Sequence, residues 1–213
     1  MGYFPFYIDI KDKKCVVIGG GKTAFRKIKK LIDFEPHITV ISPEILPEFS
    51  EIPDIEIIHR EYRKGDIDNA FMVITATDNK KLNEEIFNIC QQKNILVNTV
   101  DDIEKCGFIF PSLVHEGDIT VGISTSGKSP VYAKFLRLNI EDMLDDYHMK
   151  IFETLSRFRP YVREHFDNEK QRKEAMETVF EICLSDENIP DDDEIKTILE
   201  RVETGYENQN RNP

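Results

Sequence analysis

No two cysteines in this chain stand at the spacing that metal or redox sites use. Cys15, Cys90, Cys106 and Cys183 are far apart and form no C-x-x-C pair, so zinc, cluster and dithiol chemistry lack their sequence signature. They read instead as reduced thiols of a cytoplasmic protein. His37, His59, His148 and His165 show no ligand spacing either, and no metal site is expected. Basic charge is also scarce. The chain carries 28 Lys and Arg against 40 Asp and Glu, a formal net charge of −12, which opposes binding to nucleic acid or to an anionic membrane. Any anionic ligand must therefore find a local basic patch. No apolar run approaches the ~20 residues of a membrane span. The first ten residues lack the basic start and apolar stretch of a secretory signal. Phe6 stands where a myristoylation pattern needs Ser or Thr.

What is present is a globular balance, 40% hydrophobic and 32% charged over 213 residues. That length suits one medium domain with attachments or two small domains, with a real core. Strand and helix patterns alternate through the first hundred residues. Strands are expected at Cys15–Ile18, Ile38–Ile41 (stopped by Ser42-Pro43), Ile55–Ile58, Phe71–Ala76 and Ile95–Val100. Helices are expected at Thr23–Phe34, with Arg26, Lys27, Lys29 and Lys30 outward, and at Leu82–Cys90. Such alternation implies an α/β, Rossmann-type doubly wound parallel sheet. The uniformly apolar run at Phe71–Ala76 belongs in its interior.

After Asp102 the rhythm changes. Two strand-like runs, Gly107–Val114 and Ile119–Ser124, flank a hairpin turn at His115–Asp118. Ser129 as N-cap and Pro130 then open a helix to about Leu144. The rest is helical and charged, with a break expected at Pro160 and a frayed tail from about 203. The organisation expected is a nucleotide-binding domain over 1–112, a short α+β segment over 113–145 and a small helical domain over 146–213.

Gly19-Gly20-Gly21-Lys22-Thr23-Ala24 reads G-x-G-x-x-A between a strand and a helix. Glycine suits this place because the turn is tight, a pyrophosphate approaches the backbone, and the helix start offers N–H groups and a positive dipole. The acid expected about 20 residues on, for the adenosine ribose, is missing. Ser42 stands there, with Glu44 two positions later and no arginine to hold a 2′-phosphate, so NAD is favoured over NADP.

A second loop competes for attention. Gly122 to Ser129 matches G-x-x-x-x-G-K-[ST], the phosphate loop of nucleotide triphosphatases. Yet Gly122 falls within the alternation Ile119, Val121, Ile123 and so reads as a strand residue. An ATP-binding protein stays open as a rival reading, as does a dinucleotide sensor without turnover.

Phe4-Pro5-Phe6-Tyr7 through Gly21, Ala76-Thr77-Asp78, Val97-Asn98-Thr99-Val100-Asp101, Phe108 to Ser112, and Ser124 to Pro130 together resemble the precorrin-2 dehydrogenases, including the amino-terminal part of siroheme synthases. The resemblance covers roughly residues 3 to 145. It implies NAD-dependent oxidation of precorrin-2 to sirohydrochlorin in siroheme or cobalamin synthesis, with iron insertion as a second activity in some members, and a homodimer built through the central segment. It implies nucleotide contacts at Lys22, Thr23, Pro43 and Glu44 and an essential Asp101. The methyltransferase region of the larger members has no counterpart here, so another protein is expected to make precorrin-2.

The cofactor contacts expected are therefore Gly19, Gly21, Lys22, Thr23, Ser42, Pro43, Glu44, Thr77 and Asp78. Asp101, following the fifth strand at the sheet edge where open α/β sheets bind ligands, is the candidate base or electrostatic anchor. His115, on the turn near the expected cleft, is a candidate acid or base. Ser124, Thr125, Ser126, Lys128, Lys134 and Arg137 are candidates to meet the carboxylate arms of the tetrapyrrole, with Arg157, Arg159 and Arg163 weaker ones.

Overall fold

Val16, Val17 and Ile18 leave no room for solvent on either side of the first strand, and a strand buried on both faces must sit inside a covered sheet. The computed structural model describes residues 3–100, 102–185 and 188–211, with 207–211 described by backbone only. Asp101, the expected catalytic carboxylate, lies outside the described residues. Strands β1 (Lys14–Gly20), β2 (His37–Ile45), β3 (Ile55–Ile58), β4 (Met72–Thr75) and β5 (Leu96–Thr99) form one sheet in the order β3-β2-β1-β4-β5. Every pairing is parallel. Helix α1 (Lys22–Ile28) covers one face through Ala24 and Ile28 over Cys15, Val17, Val40 and Ile74. Helix α2 (Lys80–Lys93) covers the other through Ile86 and Cys90 over Val16, Ile18, Val73 and Val97. The doubly wound α/β sheet read from the alternation is thus the fold.

Two local expectations need correction. The helix expected to reach Phe34 ends at Ile28 and gives way to a tighter turn at Ile32–Phe34, which stops at a left-handed Glu35. Two of the lysines expected to face outward are held by protein as well. Lys27 Nζ donates to Asn98 Oδ1 at 2.8 Å and Lys30 Nζ to the Pro111 carbonyl at 2.9 Å, so both reach protein instead of water. Strand β2 also continues through Ser42-Pro43, where a stop was expected. Its pairing with β1 skips between Ile18 and Gly20, so the proline sits where the ladder is irregular and its missing N–H matters least.

Beyond β5 a short 3-10 turn at Ile103–Lys105 precedes a hairpin of β6 (Ser112–Glu116) and β7 (Ile119–Ile123), which pair antiparallel. Helix α3 (Pro130–Met143) follows. Residues 1–133 form one compact unit and 134–213 another. In the second, α4 (Asp146–His165), α5 (Glu169–Ser185) and α6 (Asp192–Arg211) share a core of Ile151, Phe158, Val162, Ala175, Val179, Ile195 and Leu199. Helix α6 continues past 203, where fraying was expected, to Arg211. No helix among the described residues is long and apolar enough to cross a membrane.

Pro160 does not break α4. It removes one backbone bond and crowds the carbonyl of Ser156, a cost of about 3 kcal/mol, and burial of Phe158 and Val162 on either side offsets it. Because Pro160 itself is exposed, Pro160→Ala should stabilise the helical unit by about 1–3 kcal/mol, seen as a higher urea or thermal midpoint. A lower midpoint would show that the proline is favoured there.

Candidate functional site

The sheet order reverses at β1, since β2 lies on one side of it and β4 on the other. Open α/β sheets take ligands at such a switch point, beyond the carboxyl ends of the strands. Here a cleft of about 900 Å³ opens at the ends of β1, β2 and β4. Gly19, Gly21, Lys22, Thr23, Ser42, Pro43, Glu44, Thr77 and Asp78 all line it, so the cofactor candidates read from separate segments converge on one wall-to-wall site.

The glycines build this cleft in three different ways. Gly19 has φ +116, and a Cβ there would stand 2.3 Å from the Ala76 carbonyl oxygen. A Cβ on Gly20 would stand 2.4 Å from the Glu44 carbonyl oxygen. These two residues let β4 and β2 close in on the turn. Gly21 is the opposite case, because a Cβ there would meet none of the described atoms within 4 Å. Its backbone therefore faces open space at the start of α1, with no side chain capping the helix. A pyrophosphate fits that arrangement, and a side chain would fill the place it needs.

The charged groups of the remaining walls are mostly acidic. Among the described lining residues Lys22 is the only cation, against Glu44, Glu61 and Asp78. Sequence reasoning missed Glu61, Tyr62, Asn79 and Leu82 as lining residues. Their signal was positional, since Glu61 and Tyr62 follow the carboxyl end of the third strand. Arg60, just before them, is paired with Asp66 at 2.7 and 2.8 Å. That hydrogen-bonded guanidinium holds the Asp66 carboxyl below the usual carboxylate range. Burial pushes the Tyr62 phenol up to about 12.

The exit of β5 runs beside this cleft. Val100, the residue before Asp101, donates its N–H to the Thr75 carbonyl at 2.9 Å. The stretch that follows is clipped at its base. Asn98, 5% exposed, donates to the Phe108 carbonyl at 2.9 Å while accepting from Lys27. Gly107 N–H reaches the Val97 carbonyl at 2.8 Å. The Cys106 thiol, pushed up by burial, lies 3.2 Å from the carbonyls of both Thr99 and Asp102. The Asn-x-Val-Asp pattern thus contains one residue that fastens the loop to the sheet.

The other candidates separate. His115 lies in β6, bonded to Thr120 Oγ1 at 3.0 Å and packed on Phe34, with ring centroids 4.6 Å apart. Phe34 precedes β2, so His115 stands toward the amino edge of the sheet and not at the cleft where it was expected. The Ser124–Ser129 loop spends much of its polarity on itself. Ser124 Oγ accepts from Ser126 N–H, Thr125 Oγ1 donates to the Ser129 carbonyl at 3.1 Å, and Ser129 Oγ caps Tyr132 N–H. A Cβ on Gly127 would lie 3.8 Å from Ile103 Cδ1, which sets the loop beside the segment leaving β5. Gly122 pairs with Leu113 inside the antiparallel hairpin, so the triphosphatase spacing is a strand followed by a helix cap, not a phosphate loop. Lys134 and Arg137 belong to the second unit, where Arg137 is ion-paired with Glu141.

Comparison with known proteins points the same way. A family model described as "Putative NAD(P)-binding" matches residues 6–112. A siroheme synthase of Ruthia magnifica subsp. Calyptogena magnifica is 37% identical over 183 residues, covering 84% of this chain and 39% of that protein. One from Thioalkalivibrio sulfidiphilus (strain HL-EbGR7) is 34% identical over 184 residues, covering 85% and 38%. The chain therefore spans about two fifths of the length of these curated relatives. The solved structure of SirC, precorrin-2 dehydrogenase, superposes with a TM-score of 0.72 and 20% identity, over 95% of this chain and 100% of that one. That likeness is one of fold.

The glycine geometry predicts a split between stability and binding. Gly21→Ala should cost under about 1 kcal/mol of stability yet weaken pyridine dinucleotide binding by tenfold or more, by filling the open backbone. Gly20→Ala should instead lower stability by about 1–3 kcal/mol. Thermal unfolding and calorimetric titration of both variants check this. Unchanged affinity in Gly21→Ala would place the ligand elsewhere.

Proposed function

Because the chain belongs to this NAD(P)-binding family, we propose that it oxidises precorrin-2 to sirohydrochlorin with NAD as acceptor. The observation that carries the proposal is the glycine turn at the sheet's switch point, open above Gly21 and flanked by the exit of β5. Names of the relatives, siroheme synthase and precorrin-2 dehydrogenase, supply the substrate. NAD supplies a hydride acceptor when bound. Gly21, Lys22 and Thr23 hold its pyrophosphate through backbone N–H groups and the Lys22 charge, while Ser42, Pro43 and Glu44 bound its adenosine end. Three acids and one cation in the cleft lining disfavour a 2′-phosphate, which supports NAD over NADP.

The oxidation removes a hydride and a proton from the macrocycle. Asp101 takes the proton, or holds cationic character developing in the ring system, by the general-base and electrostatic roles open to a carboxylate. Ser124, Thr125, Ser126 and Lys128 meet a carboxylate arm of the substrate. His115 receives no role, given its place on β6. The direct test mixes purified protein, enzymatically made precorrin-2 and NAD and follows the visible spectrum. Sirohydrochlorin should form only with NAD. Asp101→Asn should lose about 10²–10⁴-fold in rate with NAD affinity within about twofold. Wild-type turnover in that variant would remove Asp101 from the mechanism and assign the base to another residue.

We also propose that the enzyme is a homodimer joined through α3. Val131, Phe135 and Leu138 stand at i, i+4 and i+7 on that helix, 81%, 55% and 48% exposed, an apolar stripe of the kind that marks an interface. Light scattering should give twice the chain mass for the wild type and the single-chain mass for Val131→Glu/Leu138→Glu. A monomeric wild type would contradict the assignment.

A further inference from the structure

Asn83 is a buried amide on the first turn of α2, 6% exposed. Its Nδ2 donates to the Thr77 carbonyl at 2.9 Å. A backbone carbonyl can only accept, so this bond fixes which end of the amide is nitrogen. Oδ1 is then the atom facing the Thr77 hydroxyl, 2.6 Å away. An amide oxygen cannot donate, so the Thr77 proton is directed at Asn83. The Asn79 carbonyl, at 3.4 Å, is a poorer alternative acceptor. Meanwhile the Asn79 N–H donates to the same Thr77 oxygen at 3.2 Å. A hydroxyl has one proton and two lone pairs, and the proton and one pair are thus used within the protein. What Thr77 offers the cleft it lines is one lone pair.

From this we infer that Asn83 is a positioning residue that makes Thr77 an obligate acceptor on the β4 wall, set to receive a hydrogen bond from the ribose on the nicotinamide side of the dinucleotide. The inference rests on the dinucleotide reading of the cleft proposed above. An acceptor without a proton repels phosphate, so the pyrophosphate belongs over Gly21 and Lys22 and not at Thr77. The second strand's end takes the adenosine half in sheets of this kind, and Thr77 stands across the glycine turn from it, since β4 and β2 flank β1 on opposite sides. A Cβ on Gly19 would lie 3.4 Å from the Thr77 nitrogen. Thr77 therefore adjoins the turn closely, and the ribose next to the pyrophosphate is the donor group within its reach.

Calorimetry with NAD, ADP-ribose and AMP on wild type, Asn83→Leu and Thr77→Val tests this. ADP-ribose retains the second ribose, whereas AMP lacks it. Both variants should lose about three- to tenfold in affinity for NAD and ADP-ribose, the worth of one hydrogen bond, and keep AMP affinity within about twofold. If Asn83→Leu does not fold, Thr77→Val decides alone. Unchanged binding of NAD and ADP-ribose overturns the assignment. So does an equal loss for AMP, which reports a collapsed cleft and not a lost ribose contact. A wild type that binds none of the three overturns the dinucleotide reading itself.

Discussion

The closeness of three backbones at the carboxyl end of β1 is the constraint on which the rest of the molecule depends. The carbonyl oxygens of Ala76 and Glu44 lie where Cβ atoms of Gly19 and Gly20 would otherwise be. Only residues without side chains let β4 and β2 approach this closely, and only that approach leaves a walled cleft at the switch point of the sheet. One residue later the demand reverses. Gly21 needs no contact at all, and the space above it is what a ligand would use. A single run of three glycines thus serves turn geometry, strand packing and ligand access in succession.

Two buried amides extend this constraint to the neighbouring strands. Asn83 ties the loop after β4 to α2 by pairing with the hydroxyl and the carbonyl of Thr77. Asn98 ties the segment after β5 to the sheet through Phe108 and to α1 through Lys27, with the Lys27 ammonium also 4.2 Å from the Phe110 ring centroid. Each buried amide has partners for both its oxygen and its nitrogen, so burial carries no unpaired penalty, and truncation of either would leave the partners unsatisfied at about 1–3 kcal/mol each. The loops that must face a ligand are in this way held by side chains that do not.

Most of the α/β unit was legible from the sequence because its signals are local and strong. Apolar runs such as Val16–Ile18 and Val73–Ile74, separated by helical spacing, specify strands buried on both faces. The glycine motif was legible for the same reason. What escaped was whatever depends on distant partners. Nothing near Lys27 announces that its ammonium will meet Asn98, so the face of α1 reads as more solvated than it is. Pro43 reads as a strand stop until the irregular pairing beside Gly20 is known. Pro160 reads as a break until the packing of Phe158 and Val162 is seen. His115 looked close to the cleft only because the direction of the hairpin, toward Phe34, cannot be read from its turn.

The central claim is that a pyridine dinucleotide lies across the switch point with its pyrophosphate over Gly21. A crystal structure of the protein with NAD tests it most directly. The account predicts pyrophosphate oxygens within hydrogen-bond distance of the backbone N–H groups of Lys22 and Thr23, the adenosine toward Ser42–Glu44 and the nicotinamide toward the exit of β5. Density for NAD anywhere outside this cleft, or with the two ends exchanged, would contradict it.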